Sequence, residues 1–284
     1  MIQKMNLLES KKPSRVLKYI REQLNKSYDE LSDELGFNWK KAENNEIIIS
    51  EEQARDIYVN ISLDKNDLCK ALFGTNEGFF HGSKNGIKGD VSISKGRDKV
   101  DFGKGFYVGD NLLQVATLCV SAEKPIVYRC SIDFDKLRTY KFSSSENWAL
   151  YIAVNRRVIN AATNKKLHNY YLNLCTGYDL IVGPIADDSL LSSFYKYCDI
   201  NSTLTLGDLV RILTMVKLGN QYVFKTEKSL KRLKFEESVE LVDNDKQIFV
   251  ALSRDNYSYG KLASSMLGRS KKGKTFKDIL KEWR

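Results

Sequence analysis

Apolar residues recur at helical spacing near the start of the chain, with Val16, Ile20 and Leu24 on one stripe, and this predicts a first helix. Tyr28-Asp29-Glu30-Leu31-Ser32-Asp33-Glu34-Leu35 predicts a second, closed by Gly36. After Ile47-Ile48-Ile49, Ser50 offers a side chain that caps a further helix by accepting a backbone N–H. Past Gly74-Thr75 the period changes. Residues 125–134 alternate as a half-buried strand does, and Leu180-Ile181-Val182 within residues 178–184 is a buried strand by its apolar run. Residues 147–157 are apolar and of helix length, Asp187-Asp188 suits a helix start, and residues 203–217 form an amphipathic helix that leads through Gly219 into a strand at Asn220-Gln221-Tyr222-Val223-Phe224. Short strands and helices without βαβ spacing predict an α+β fold. Three parts follow: a helical domain over 1–75, a mixed domain over 76–243 and a C-terminal extension over 244–284. A fragment starting at residue 76 is expected to fold and to keep the chemistry.

Composition narrows the chemistry. The chain has 284 residues, a net charge of +9, five cysteines and two histidines. Cys69, Cys119, Cys130, Cys175 and Cys198 are scattered and never form a Cys-x-x-Cys pair, so they read as small buried residues in a reducing, cytoplasmic setting. With only His81 and His168, no metal site is expected. No apolar run approaches membrane-spanning length and Met1 to Met5 holds no signal core, so no membrane partner is expected. Residues 1–75 carry 12 Lys+Arg against 13 Asp+Glu, whereas residues 225–284 carry 15 against 9, so the basic excess lies downstream.

The candidate chemistry sits in three segments: Phe80-His81-Gly82-Ser83, Phe102-Gly103-Lys104-Gly105-Phe106-Tyr107 and Asn220-Gln221-Tyr222-Val223-Phe224. Their order and residue types resemble the three strand-borne motifs of the ADP-ribosyltransferases, especially the poly(ADP-ribose) polymerase catalytic domain. The resemblance implies a split two-sheet core and NAD⁺ as a substrate. Arg97 stands at the spacing from His81 where that family places an arginine near the adenosine side of NAD⁺. It implies the following roles. His81 meets a ribose hydroxyl, Gly82 pairs its backbone with the nicotinamide amide, Ser83 adds a hydroxyl, Tyr107 stacks on the nicotinamide ring, and Gly105 lets the turn approach. Residues 78–241 also resemble a bacterial family of ADP-ribosyltransferase-like domains.

Two departures shape the expectation. The family's catalytic glutamate falls on Gln221, which can hold the ribose 2′-hydroxyl but brings no charge to the oxocarbenium-like state. This favours transfer of one ADP-ribose over polymer synthesis; Glu227 is the other candidate for a carboxylate. The helix after Tyr107, residues 111–118, lacks the family's second tyrosine, and Gln114 stands in for its serine. Catalytic residues are therefore Gln221, His81 and Tyr107, and NAD⁺ contacts His81, Gly82, Ser83, Arg97, Gly105 and Tyr107.

The helical domain over 1–75 weakly resembles a repressor-like helix-turn-helix, with a recognition helix expected near Asn38-Trp39-Lys40-Lys41, although that domain's charge of −1 suits partner docking better than duplex DNA. The tail interleaves Lys261, Arg269, Lys271, Lys272, Lys274, Lys277 and Lys281 with Tyr257, Tyr259 and Phe276, which fits either single-stranded nucleic acid or a solvated helix end. Asp187, Asp188, Asn155 and Arg156 are candidates for contact with the acceptor. The whole predicts a cytoplasmic mono-ADP-ribosyltransferase acting on a macromolecule, RNA or DNA ahead of protein. The resemblance adds a toxin or defence role and an inhibitory, antitoxin-like protein partner. Protein modification, RNA 2′-phosphotransfer and a degenerate NAD⁺-binding regulator are the rival readings.

Overall fold

Side chains that accept a backbone N–H start every helix in the first part of the chain: Ser14 for α1 (Arg15–Leu24), Ser27 for α2 (Tyr28–Leu35), Asn38 for α3 (Trp39–Glu43), Ser50 for α4 (Glu51–Ile61) and Asp64 for α5 (Lys65–Phe73). Gly36 and Gly74 end α2 and α5 in the left-handed conformation that lacks a penalty only for glycine. The computed structural model describes residues 12–187, 192–266 and 273–284.

The remaining elements follow in the order β1 (Phe79–Ser83), β2 (Phe106–Gly109), α6 (Leu112–Thr117), β3 (Ile126–Ile132), β4 (Thr139–Lys141), α7 (Glu146–Asn155), α8 (Lys165–Asn173) and β5 (Leu180–Pro184). Then come α9 (Ser192–Tyr197), α10 (Leu206–Leu213), β6 (Asn220–Phe224), α11 (Glu227–Leu230), β7 (Leu233–Glu240), α12 (Asp243–Met266) and α13 (Phe276–Glu282). Seven strands form one mixed sheet in the order β4-β5-β6-β2-β1-β3-β7, parallel only between β4 and β5. The expected two sheets are thus one hydrogen-bonded sheet. Its weak point is the β1–β2 junction, where the register holds a single couple, Phe80↔Gly109.

The sheet bends at that seam, and its inner face closes on itself. Phe79 of β1 meets Tyr222 of β6 at 4.6 Å between ring centres, and Phe106 of β2 meets Phe235 of β7 at 6.1 Å, although neither pair lies on neighbouring strands. Val108, Leu180, Val182 and Phe224 fill the space between the halves. Helices cover both outer faces. Phe80, Val127 and Val239 pack with α1–α6 and α12, and Ile181 and Val223 pack with α7–α10 and α13.

Three sequence expectations change here. The helical segment ends at Gly74 as expected, but its core is continuous with that of β1, β3, α6 and α12, so α1–α5 share one interior with the sheet. Residues 244–254 are not an extension, because Ile248, Phe249, Ala251 and Leu252 of α12 belong to that interior. The tail's Phe276 is buried beside Tyr197, at 5.7 Å between ring centres, rather than offered to a base. The side chains of Tyr257, Tyr259 and Lys261, and residues Arg269, Lys271 and Lys272, lie outside the described residues. The helix expected near Asn38 has five residues and turns Trp39, Ala42 and Glu43 into the core, which leaves little of a recognition surface.

Two buried polar residues pin α12 to the N-terminal helices. Asn244 donates to Ala42 O at 2.7 Å and Ile47 O at 2.8 Å and accepts from Ile49 N at 2.9 Å. Asp245 accepts from Ser14 Oγ at 2.6 Å and Val16 N at 3.1 Å. Burial raises the Asp245 carboxyl from 3.8 to about 6, against the pull of those hydrogen bonds. A carboxyl whose folded value is raised binds more protons folded than unfolded, so stability falls as pH rises from 3.8 to about 6 and is level above. The loss amounts to about 3 kcal/mol. Asp245→Asn keeps the acceptor and removes the charge. Between pH 4 and 7 the urea midpoint of the wild type should fall relative to that of the variant; a difference that does not change with pH would place the titration elsewhere.

Candidate functional site

The site is built where β1 and β2 part. His81 Nδ1 lies 2.8 Å from the Tyr107 carbonyl, which only accepts, so Nδ1 carries the hydrogen and Nε2 keeps its lone pair. The imidazole stacks on Phe106 with ring centres 4.5 Å apart. Burial pushes its pKa below the usual histidine value, which the Tyr107 bond only partly offsets, and favours the neutral ring. His81 is thereby a fixed neutral acceptor beside the β2 backbone.

Tyr107 itself is tied into the preceding turn. Its Oη donates to Gly103 O at 2.6 Å and accepts from Phe102 N at 3.1 Å. Lys225, just past β6, donates to Phe102 O at 2.8 Å and Lys104 O at 2.5 Å, and burial lowers its ammonium to about 8. Burial, aided by the charge of Asp101, raises the Tyr107 hydroxyl above the ordinary phenol value, so it stays a neutral donor. At Gly82 and Gly105 the chain's own packing also requires glycine. A Cβ at Gly105 would meet Val223 Cγ1 at 2.6 Å and Phe224 O at 2.7 Å, and one at Gly82 would meet Val115 O of α6 at 2.6 Å. Both glycines serve close packing of the chain on itself.

Opposite Tyr107, the register pairs Tyr107 with Val223 and Gly109 with Gln221. Gln221 and Tyr107 are therefore diagonal neighbours on the outer face, while Phe224 and Tyr222 point inward, as the alternation predicts. Gln221 is buried, and its Nε2 donates to Asp101 Oδ2 at 2.7 Å and, at 3.3 Å, to Pro184 O. Asp101 in turn accepts Arg156 Nε and Nη2 on Oδ1, each at 2.5 Å. Asp101 is the functional candidate that sequence reasoning passed over; its signal was a carboxylate directly before Phe102-Gly103-Lys104-Gly105.

The other expected residues are placed as follows. Arg97 is exposed, and its charge reaches the Tyr107 hydroxyl. Ser83 is half-buried at the end of β1. Gln114 is half-buried on α6, which Asn111 caps. Glu227 is no substitute for a carboxylate at 221: it accepts from Ser92 Oγ at 3.1 Å and Ile93 N at 3.2 Å and holds that loop. Arg156 faces Asp101 rather than an acceptor, and Asn155 packs under Gly103. Asp187 is buried, and Asp188 lies outside the described residues. A cavity of about 270 Å³ lined by Asn85, Glu123, Lys124, Ile126 and Glu240 lies past the end of β1 and touches none of His81, Tyr107 or Gln221. Among the described residues no three His, Cys, Asp or Glu groups could hold a metal ion, and no helix is long and apolar enough to cross a membrane.

No curated protein and no solved structure matches the chain. Residues 78–235, which span β1 to the start of β7 and every residue of the site just described, match the family described as "Protein of unknown function (DUF3990)". That segment is more than half of the 284 residues, and the chain belongs to this family.

Proposed function

We propose that this chain is an NAD⁺-dependent mono-ADP-ribosyltransferase with an ADP-ribosyltransferase-like core, and that its acceptor is a macromolecule. The observation that carries the reading is convergence of three segments far apart in sequence on one strand. His81 bonds to the Tyr107 backbone, and Gln221 lies diagonal to Tyr107 across β2 and β6. Two acceptor atoms on β1 and β6, the strands flanking β2, suit ribose hydroxyls, His81 Nε2 beside Phe106 on the inner face and Gln221 Oε1 on the outer face, because the partners of Nδ1 and Nε2 respectively are acceptors. Exposed Arg97 suits a pyrophosphate oxygen.

In the reaction, the bond from C1′ of the nicotinamide ribose to the ring nitrogen breaks, and nicotinamide leaves with the electron pair. The acceptor adds to C1′ and loses its proton. Gln221 Oε1 accepts the hydrogen of the ribose 2′-hydroxyl and so places partial negative charge near the carbon that becomes positive. The weaker fit is at the ring, since α6 offers half-buried Gln114 and no second aromatic. Exposed Lys95, Arg97, Lys99 and Lys104 border the turn and favour a polyanionic acceptor, RNA or DNA, over protein. A toxin or defence role, with an inhibitory protein partner inside the cell, belongs to the same proposal. The rival reading, an NAD⁺ sensor that binds without cleaving, is favoured by the neutral side chain at 221.

Brief expression followed by mass spectrometry of cellular RNA, DNA and protein should find an added ADP-ribose on nucleic acid. Modification confined to protein would reverse the acceptor assignment. Bound NAD⁺ with no modified molecule of any class would leave the sensor in its place.

A further inference from the structure

We propose that Asp101 and Arg156 are positioning residues, which hold the Gln221 amide with nitrogen inward and Oε1 outward and thereby require an amide rather than a carboxylate at position 221. As a statement about the side chains this is independent of the reading above; as a statement about rate it rests on that reading.

The orientation follows from chemistry. Both partners of the amide, the Asp101 carboxylate and the Pro184 carbonyl, only accept, so the group facing them must be the NH₂. Asp101 is buried at 4 % exposure, and its other oxygen takes the Arg156 guanidinium, which fixes the carboxylate in place. A carboxylate at 221 would stand against the carboxylate of Asp101, where one guanidinium would serve two negative charges in a site with little water. Such a pair holds a proton far above the normal carboxylate range. The pair Asp101 and Gln221 thus carries one charge where the resembling family carries its own at 221. An amide left without the Asp101 carboxylate keeps only the longer contact to Pro184 O at 3.3 Å and is held less firmly with its oxygen toward a ribose hydroxyl.

The test compares wild type, Gln221→Glu, Asp101→Asn and the double variant. Thermal unfolding is read from pH 5 to 8. Gln221→Glu should lower Tm by about 5 °C at pH 8 and by less at pH 5, where the shared proton stays bound. Asp101→Asn should lower Tm as well, and the double variant, which exchanges amide and carboxylate, should recover most of both losses. Losses that simply add, with no dependence on pH, overturn the pairing. Single-turnover nicotinamide release is the second readout. Asp101→Asn should slow it at least 10-fold with NAD⁺ affinity unchanged, consistent with a contact made in the transition state. An unchanged rate beside a coupled Tm would mean that the pair is structural only, and the positioning role falls. If the wild type releases no nicotinamide, the proposed function fails, and the Tm cycle still decides the pairing.

Discussion

A chain lacking residues 1–75 is expected to lose the folded state of the rest. The helices it removes cover Phe80, Leu112, Val115, Ile248 and Phe249, all of which share their interior with Leu17, Ile20, Leu31 and Trp39. Each fully buried side chain of that size contributes about 2 kcal/mol. Exposure of five such residues is comparable to the whole stability of a domain, roughly 5–15 kcal/mol. Asn244 and Asp245 would lose their partners in the same step, since Ala42, Ile47, Ile49, Ser14 and Val16 all go with the deleted segment. Expression of residues 76–284 should yield aggregated protein or a chain without a cooperative thermal transition by circular dichroism. A soluble fragment with a sharp transition would show that the sheet and α12 close on themselves without the helices.

The second large effect is expected at His81. Replacement by alanine removes the bond to the Tyr107 carbonyl, the stack on Phe106 and the Nε2 acceptor together. Loss of one preorganised contact at the reacting ribose costs on the order of 10²-fold in rate, and His81→Ala should reach at least that. Phe106→Leu separates the causes, because it removes the ring beneath the imidazole and leaves both nitrogens in place. It should cost stability more than rate. Full turnover by His81→Ala at saturating NAD⁺, measured as nicotinamide released, would remove His81 from the site.

Much of the sheet region was legible because its signals are local. The alternation in Asn220-Gln221-Tyr222-Val223-Phe224 correctly divides Val223 from Phe224 between the two faces. Residues 125–134 and 178–184 contain β3 and β5, and Thr205 caps α10 near the start of the amphipathic run. Short β4 was not legible, since Thr139-Tyr140-Lys141 has too few residues to show a period. Nor was the role of α12. Its buried face is ordinary helical core in sequence, and only the long-range packing of Ile248 and Phe249 on α1–α5 tells that it closes the N-terminal helices onto the sheet. At the site, His81, Tyr107 and Gln221 were named from motif order, whereas Asp101, Arg156 and Lys225 act through contacts with residues far away along the chain. Gly82 and Gly105, assigned to a ligand by motif order, also meet a packing demand that motif order does not show, since a Cβ at either would strike Val115 or Phe224.

The central claim, that Gln221 and its neighbours break the glycosidic bond of NAD⁺, is tested most directly by single-turnover release of nicotinamide from NAD⁺ with the purified full chain in the presence of total cellular RNA. The account predicts release by the wild type and a drop of about 10²-fold in Gln221→Ala, with NAD⁺ affinity nearly unchanged. Equal release by wild type and Gln221→Ala, or none from either while NAD⁺ is bound, would contradict it.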